Sequence, residues 1–120
     1  MPEQLVLRKG DKILARDLRP ARRARDRMRG LLGSDGLPTG TGILLEPARQ
    51  VHTFGMRYPI DVVFCDASWR VLRVARSLAP NRITRLVLKA RRAIELPKGA
   101  AEQVQIGDLL SVDQSAASIR

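Results

Sequence analysis

The sequence predicts a mainly β, single-domain protein: an antiparallel β-sandwich or partly closed barrel with one short amphipathic helix and a second helical turn. Three observations predict it. Short apolar runs recur at intervals of about ten residues, the signature of small antiparallel β architectures. Gly, Pro, Asp and Ser punctuate the gaps. Only one stretch keeps helical spacing long enough to cover a sheet, so the crossover helices of a βαβ architecture are missing, and a ferredoxin-like α+β fold is disfavoured for the same reason.

The elements follow in order. Leu5 to Leu7 and Ile13 to Ala15 flank a charged Gly-Asp turn and form a hairpin. The helix runs from Pro20, suited to a first helical position, to Gly33, suited to the residue past the last turn. Its apolar stripe is Ala21, Ala24, Met28, Leu31 and Leu32, opposite Arg22, Arg23, Asp26 and Arg29. A glycine-dense loop, Ser34 to Gly42, follows; it lacks the phosphate-loop pattern and reads as a mobile loop or the rim of a site. Ile43 to Leu45 is a strand closed by Pro47.

Residues 50–66 hold the only histidine, tyrosine and cysteine and both phenylalanines. They predict a short strand from Val51 to Phe54, a turn from Gly55 to Pro59, and a strand from Ile60 to Cys65 that is apolar on both faces and therefore central in a sheet. Trp69 to Val74 pairs with it across the Asp66-Ala67-Ser68 turn. Leu86 to Leu88 is a short strand, Ala93 to Leu96 another, Gly99 to Val104 one helical turn, and Leu109 to Val112 the last strand. The domain spans 1–112, and residues 113–120 are a frayed tail.

At 120 residues the chain can bury a sizeable core without staple or metal. Its charge is lopsided, 22 Lys plus Arg against 12 Asp plus Glu, or +10. That surplus attracts polyanions, although it also serves solubility. With aromatics at 3%, stacking on single-stranded nucleic acid has few platforms. One cysteine cannot close an internal disulfide, and one His with scattered carboxylates fits no metal-ligand spacing, so neither metal nor cofactor is expected. No apolar run is long enough to span a membrane, and the chain as it stands reads as cytoplasmic, with the cell envelope the alternative had an export signal been removed.

Catalysis would have to use His52, with Cys65, Ser68 or Thr53 as nucleophile and Asp61 or Asp66 as orienting acid. Asp61 and Glu95 both lie beside strongly apolar residues and so need partners, for which Arg57, Arg91 and Arg92 are candidates.

The succession Arg27 to Gly33, Gly42 to Leu45, Pro59 to Asp66, Glu95 to Gly99 and Ile106 to Asp108 resembles the bacterial and archaeal family called domain of unknown function 192. The resemblance covers nearly the whole chain and implies a small β domain with a short helix. It implies no activity, and many relatives carry export signals. Where many members have a Phe-Trp-Met-Lys-Asn-type segment, this chain has Val51 to Gly55, so roles of the Trp or Asn do not carry over.

The expected function is a ligand- or partner-binding accessory module. Its groove lies between the segment Arg29 to Gly42 and the central hairpin, lined by His52, Phe54, Met56, Arg57, Asp61 and Glu95. Two alternatives stand beside it: a small hydrolase using a His52-Asp61 pair, and binding of nucleic acid or an anionic surface through Arg22, Arg23, Arg29 and residues Arg85 to Arg92.

Overall fold

The computed structural model describes residues 5–21 and 36–114. Within them the chain forms β1 (Leu5–Lys9), β2 (Lys12–Ala21), β3 (Thr41–Leu45), β4 (Ile60–Cys65), β5 (Val71–Leu78), β6 (Arg92–Pro97) and β7 (Ser111–Gln114). All seven belong to one open sheet in the order β5-β4-β6-β3-β2-β1-β7.

β1 and β2 form the expected hairpin, with Lys9 opposite Lys12 and Gly10 taking the left-handed turn conformation at φ 59°. β4 pairs antiparallel with β5 and with β6. The antiparallel expectation fails at β2 and β3, which run parallel from Asp17 opposite Thr41 to Ala21 opposite Leu45. Parallel neighbours need a long crossover, and residues 22–40 supply it. Apolar patterning identifies a strand but not the direction of its neighbour.

The sandwich expectation is also corrected: there is one sheet, with a core on each face. β4 is buried at all six positions. Val63 and Cys65, with Ile94 and Leu96 of β6, join a core that includes Leu7, Leu18 and Val104. Val62, Phe64 and Ala93 point the other way, into a core with Ile43, Val51, Met56 and Tyr58. Alternation of side chains across a strand divides them, and burial of both faces is why residues 60–65 form an unbroken apolar run. Gly42 on β3 allows close approach of three strands, since a Cβ there would sit 2.9 Å from Leu96 Cδ2 and 3.1 Å from Leu18 Cδ1.

Among the described residues no helix forms. Pro20 and Ala21 end β2 instead of starting a helix; the rest of the expected helix, residues 22–33, lies outside the described residues. Proline is tolerated there because, among the described residues, Leu18 is the last of β2 with a partner on β1. The expected helical turn at Gly99 to Val104 is a run of three-residue-spaced turns: Ala100 N donates to Pro97 O, Glu102 N to Gly99 O and Val104 N to Ala101 O. Gly99 at φ 91° breaks helical continuity. Val51 to Phe54 makes only an isolated bridge, His52 opposite Ile83, and Leu86 to Leu88 makes no strand. β7 reaches Gln114, two residues into the expected tail. No helix among the described residues is long and apolar enough to cross a membrane.

Candidate functional site

Two connections that lack regular structure are stitched together: residues 48–58, leading into β4, and residues 79–91, between β5 and β6. Thr53 is the main stitch. It is fully buried; its N donates to Arg82 O at 2.8 Å, its Oγ1 donates to Ala79 O at 2.6 Å and accepts from Arg82 N at 2.9 Å. Thr84 answers from the other side, its N donating to Val51 O and its Oγ1 accepting from Val51 N at 3.0 Å. Asn81, held at φ 58°, accepts Gly55 N on its Oδ1 at 3.0 Å. Threonine and asparagine side chains here supplement the few backbone–backbone bonds between the two connections, which is the property that makes these residues favour irregular chain.

The underside of this platform is apolar and buried: Val51, Met56, Tyr58 and Ala90 belong to the second core. The outer side exposes apolar groups as well. Phe54 is 52% exposed and stacks on His52 with ring centroids 4.9 Å apart; Ile83, opposite His52, is 56% exposed. Leu86 and Leu88 are 55% and 70% exposed and line a shallow concavity of about 450 Å³ with Leu72 and Arg73 of β5. Residues 47–60 and 79–91 contain no Asp or Glu, while Arg49, Arg57, Arg82, Arg85, Lys89 and Arg91 are all exposed. The surface is apolar, basic and firmly held.

The structure divides the residues expected to form a site. His52 and Phe54 lie on the platform's outer side, exposed Arg57 adjoins them, and Met56 lies beneath. Val62 stands opposite Glu95 on β6, while Asp61 stands opposite Leu96. Directly opposed residues share a face, so Glu95 faces the second core and Asp61 the first. Asp61 does not join the others. It is 1% exposed, and its carboxylate accepts Ser77 N at 2.9 Å on Oδ1 and Gly99 N and Ala101 N at 3.0 Å on Oδ2. The expected arginine partner is replaced by backbone N–H groups, and Arg92 instead pairs with Glu46 and stacks over Trp69, its guanidinium carbon 4.2 Å from the ring centroid.

Cys65 is fully buried, and desolvation, partly offset by Arg92, pushes its thiol up to about 12, which removes it as a nucleophile at neutral pH. Asp66 caps its own turn, Oδ1 accepting from Ser68 N and Arg70 N. Among the described residues no group of three His, Cys, Asp or Glu gathers that could hold a metal ion. Of the segment Arg29 to Gly42 expected to wall the groove, residues 29–35 lie outside the described residues, as do Arg22 and Arg23 of the expected basic face. Thr39 and Gly40 line a different cleft, against β2. The platform's outer leucines were missed because Leu86 to Leu88 reads equally as a buried strand; the lack of acids around them is the signal that could have marked them.

No curated protein matches this chain. Its fold is shared with a protein of unknown function from Novosphingobium aromaticivorans DSM 12444, at TM-score 0.73 and 17% identity over 89% of this chain and 82% of that one. It is shared as well with a protein described as a proposed transcription regulator from Sinorhizobium meliloti 1021, at TM-score 0.72 and 17% identity over 93% of this chain and 94% of that one. Identity this low speaks to the fold alone. The family described as Uncharacterized ACR, DUF192, matches residues 5–112, and the chain therefore belongs to the DUF192 family, domain of unknown function 192.

Proposed function

We propose that this chain is a partner-binding module whose platform receives an acidic protein segment carrying apolar side chains. The observation that carries this reading is the coincidence of four exposed apolar residues, Phe54, Ile83, Leu86 and Leu88, with six exposed cations and no carboxylate on two hydrogen-bonded connections. Exposed apolar groups on a hydrogen-bonded scaffold are where partners dock, and the uniform charge selects an acidic partner. His52 and Phe54 act as a stacked anchor, with Arg57 beside them; Glu95 and Met56 support the platform from beneath.

Titration of a labelled acidic, leucine-containing peptide and of labelled duplex DNA, each at two salt concentrations, tests the reading. The peptide binds wild type and loses affinity in F54S/L88S. Binding of DNA alone, unaffected by those substitutions and falling steeply with salt, would transfer the function to an arginine-based anionic surface.

A further inference from the structure

A second concavity lies away from the platform, between β2, the end of the glycine-dense loop and the turn after β6. Its volume is about 400 Å³, within the usual range for small-molecule sites. We infer that this cleft binds a small organic phosphate, the phosphate held by Arg16 and Lys98 and the organic part lying on Ile13, Pro97 and Ala100. Among the described residues, Lys12, Arg16 and Lys98 line the cleft and no carboxylate does. The acid next to Arg16 in sequence does not neutralise it, because Asp17 Oδ2 is taken by Arg19 at 2.9 Å. Lys12 is turned to Gln103 Oε1 at 2.6 Å, which leaves Arg16 and Lys98, both exposed, as the cations available to a ligand among the described lining residues.

The walls are fixed before any ligand arrives. Gly40 O accepts Arg16 N at 2.8 Å and Asp17 N at 3.0 Å, fastening the loop to β2. On the facing wall the N–H groups of Gly99 and Ala101 are held by buried Asp61, so the turn bearing Lys98 is set by a carboxylate beneath the cleft. Gly40, at φ 84°, has open space where a Cβ would stand. Two cations suit a dianion better than a single carboxylate, and an arginine fork matches phosphate oxygens. Thr39 adds a hydroxyl to the lining. This gives the glycine-dense loop a use without any phosphate-loop motif.

The test is an amide-resonance titration of the ¹⁵N-labelled protein with phenyl phosphate and, separately, inorganic phosphate. Saturable shifts at Arg16, Gly40 and Gly99 are expected. The affinity for phenyl phosphate should fall about tenfold or more in R16Q/K98Q while K89Q, on the platform, binds as wild type does. Inorganic phosphate should bind more weakly than phenyl phosphate. Shifts that never saturate, equal binding by R16Q/K98Q, an equal loss in K89Q, or equal affinity for the two phosphates would each overturn the assignment. All three substituted residues are exposed, and the dispersion of the spectrum reports whether each variant is folded.

Discussion

The carboxylate of Asp61 accepts the backbone N–H of Ala101 at 3.0 Å across 40 positions of sequence. The same carboxylate accepts from Gly99 and Ser77, so one buried charge joins β4 to the end of β5 and to the turn after β6. A carboxylate this deep survives because charge-assisted hydrogen bonds replace its water. Asp61→Ala strands three N–H groups and should lower unfolding free energy by about 3 kcal/mol or more. Asp61→Asn keeps one carbonyl acceptor and should cost less. Urea denaturation measures both; an unchanged midpoint in Asp61→Ala would show that these bonds contribute nothing.

Cys65 supplies a pH prediction. Its thiol titrates near 9.0 when unfolded and near 12 when folded. Below the lower value both states hold the proton; between the two, only the folded state does, so stability falls as pH rises. The loss from this one group is up to about 1.4 kcal/mol per pH unit. The stability difference between wild type and Cys65→Ala should therefore shrink from pH 9 upward. A constant difference contradicts the burial. In the native state at neutral pH an aromatic disulfide reagent should leave the thiol unmodified, and urea should release it.

Thr53 closes the platform from inside. Thr53→Val keeps the shape and removes the hydroxyl, leaving Ala79 O and Arg82 N without their partner, which should cost about 1 to 3 kcal/mol. Amide exchange at residues 79–84 should accelerate more than at β4. Uniform acceleration across the molecule would mean that the platform has no separate stability.

Gly42 is a packing prediction. The Cβ of Gly42→Ala meets two buried leucines and the Glu95 carbonyl, so the substitution should destabilise by about 1 to 3 kcal/mol, despite the usual gain from replacing glycine. Thermal unfolding checks the sign; a raised midpoint would mean that the Leu96 and Leu18 side chains move aside freely.

These residues also show what the sequence discloses. Val62, Val63 and Phe64 announced a strand buried on both faces because an unbroken apolar run has few other uses at that length. Thr53 and Thr84 were silent, since a threonine that replaces a strand ladder looks like any other threonine. Pro20 misled: proline suits both a helix start and a strand end, and only the pairing with β3, Pro20 opposite Leu44, distinguishes them. Asp61 and Glu95 looked alike in composition, yet register sends them to opposite faces, and register is a long-range property. The resemblance to the DUF192 family was legible because its short motifs occur in order; the platform was not, because its two halves lie about thirty residues apart and meet through scattered backbone and side-chain hydrogen bonds.

The central claim is that the platform binds an acidic, apolar segment through Phe54 and Leu88 with help from Arg85 and Lys89. The most direct measurement is selection of displayed random peptides on the immobilised full chain, with F54S/L88S as the parallel target. Enriched peptides should carry Asp or Glu beside leucine or an aromatic residue. Their affinity should fall about tenfold or more in F54S/L88S, fall with charge reversal at Arg85 and Lys89, and weaken with salt. Peptides lacking acids, or equal enrichment on wild type and F54S/L88S, would contradict it.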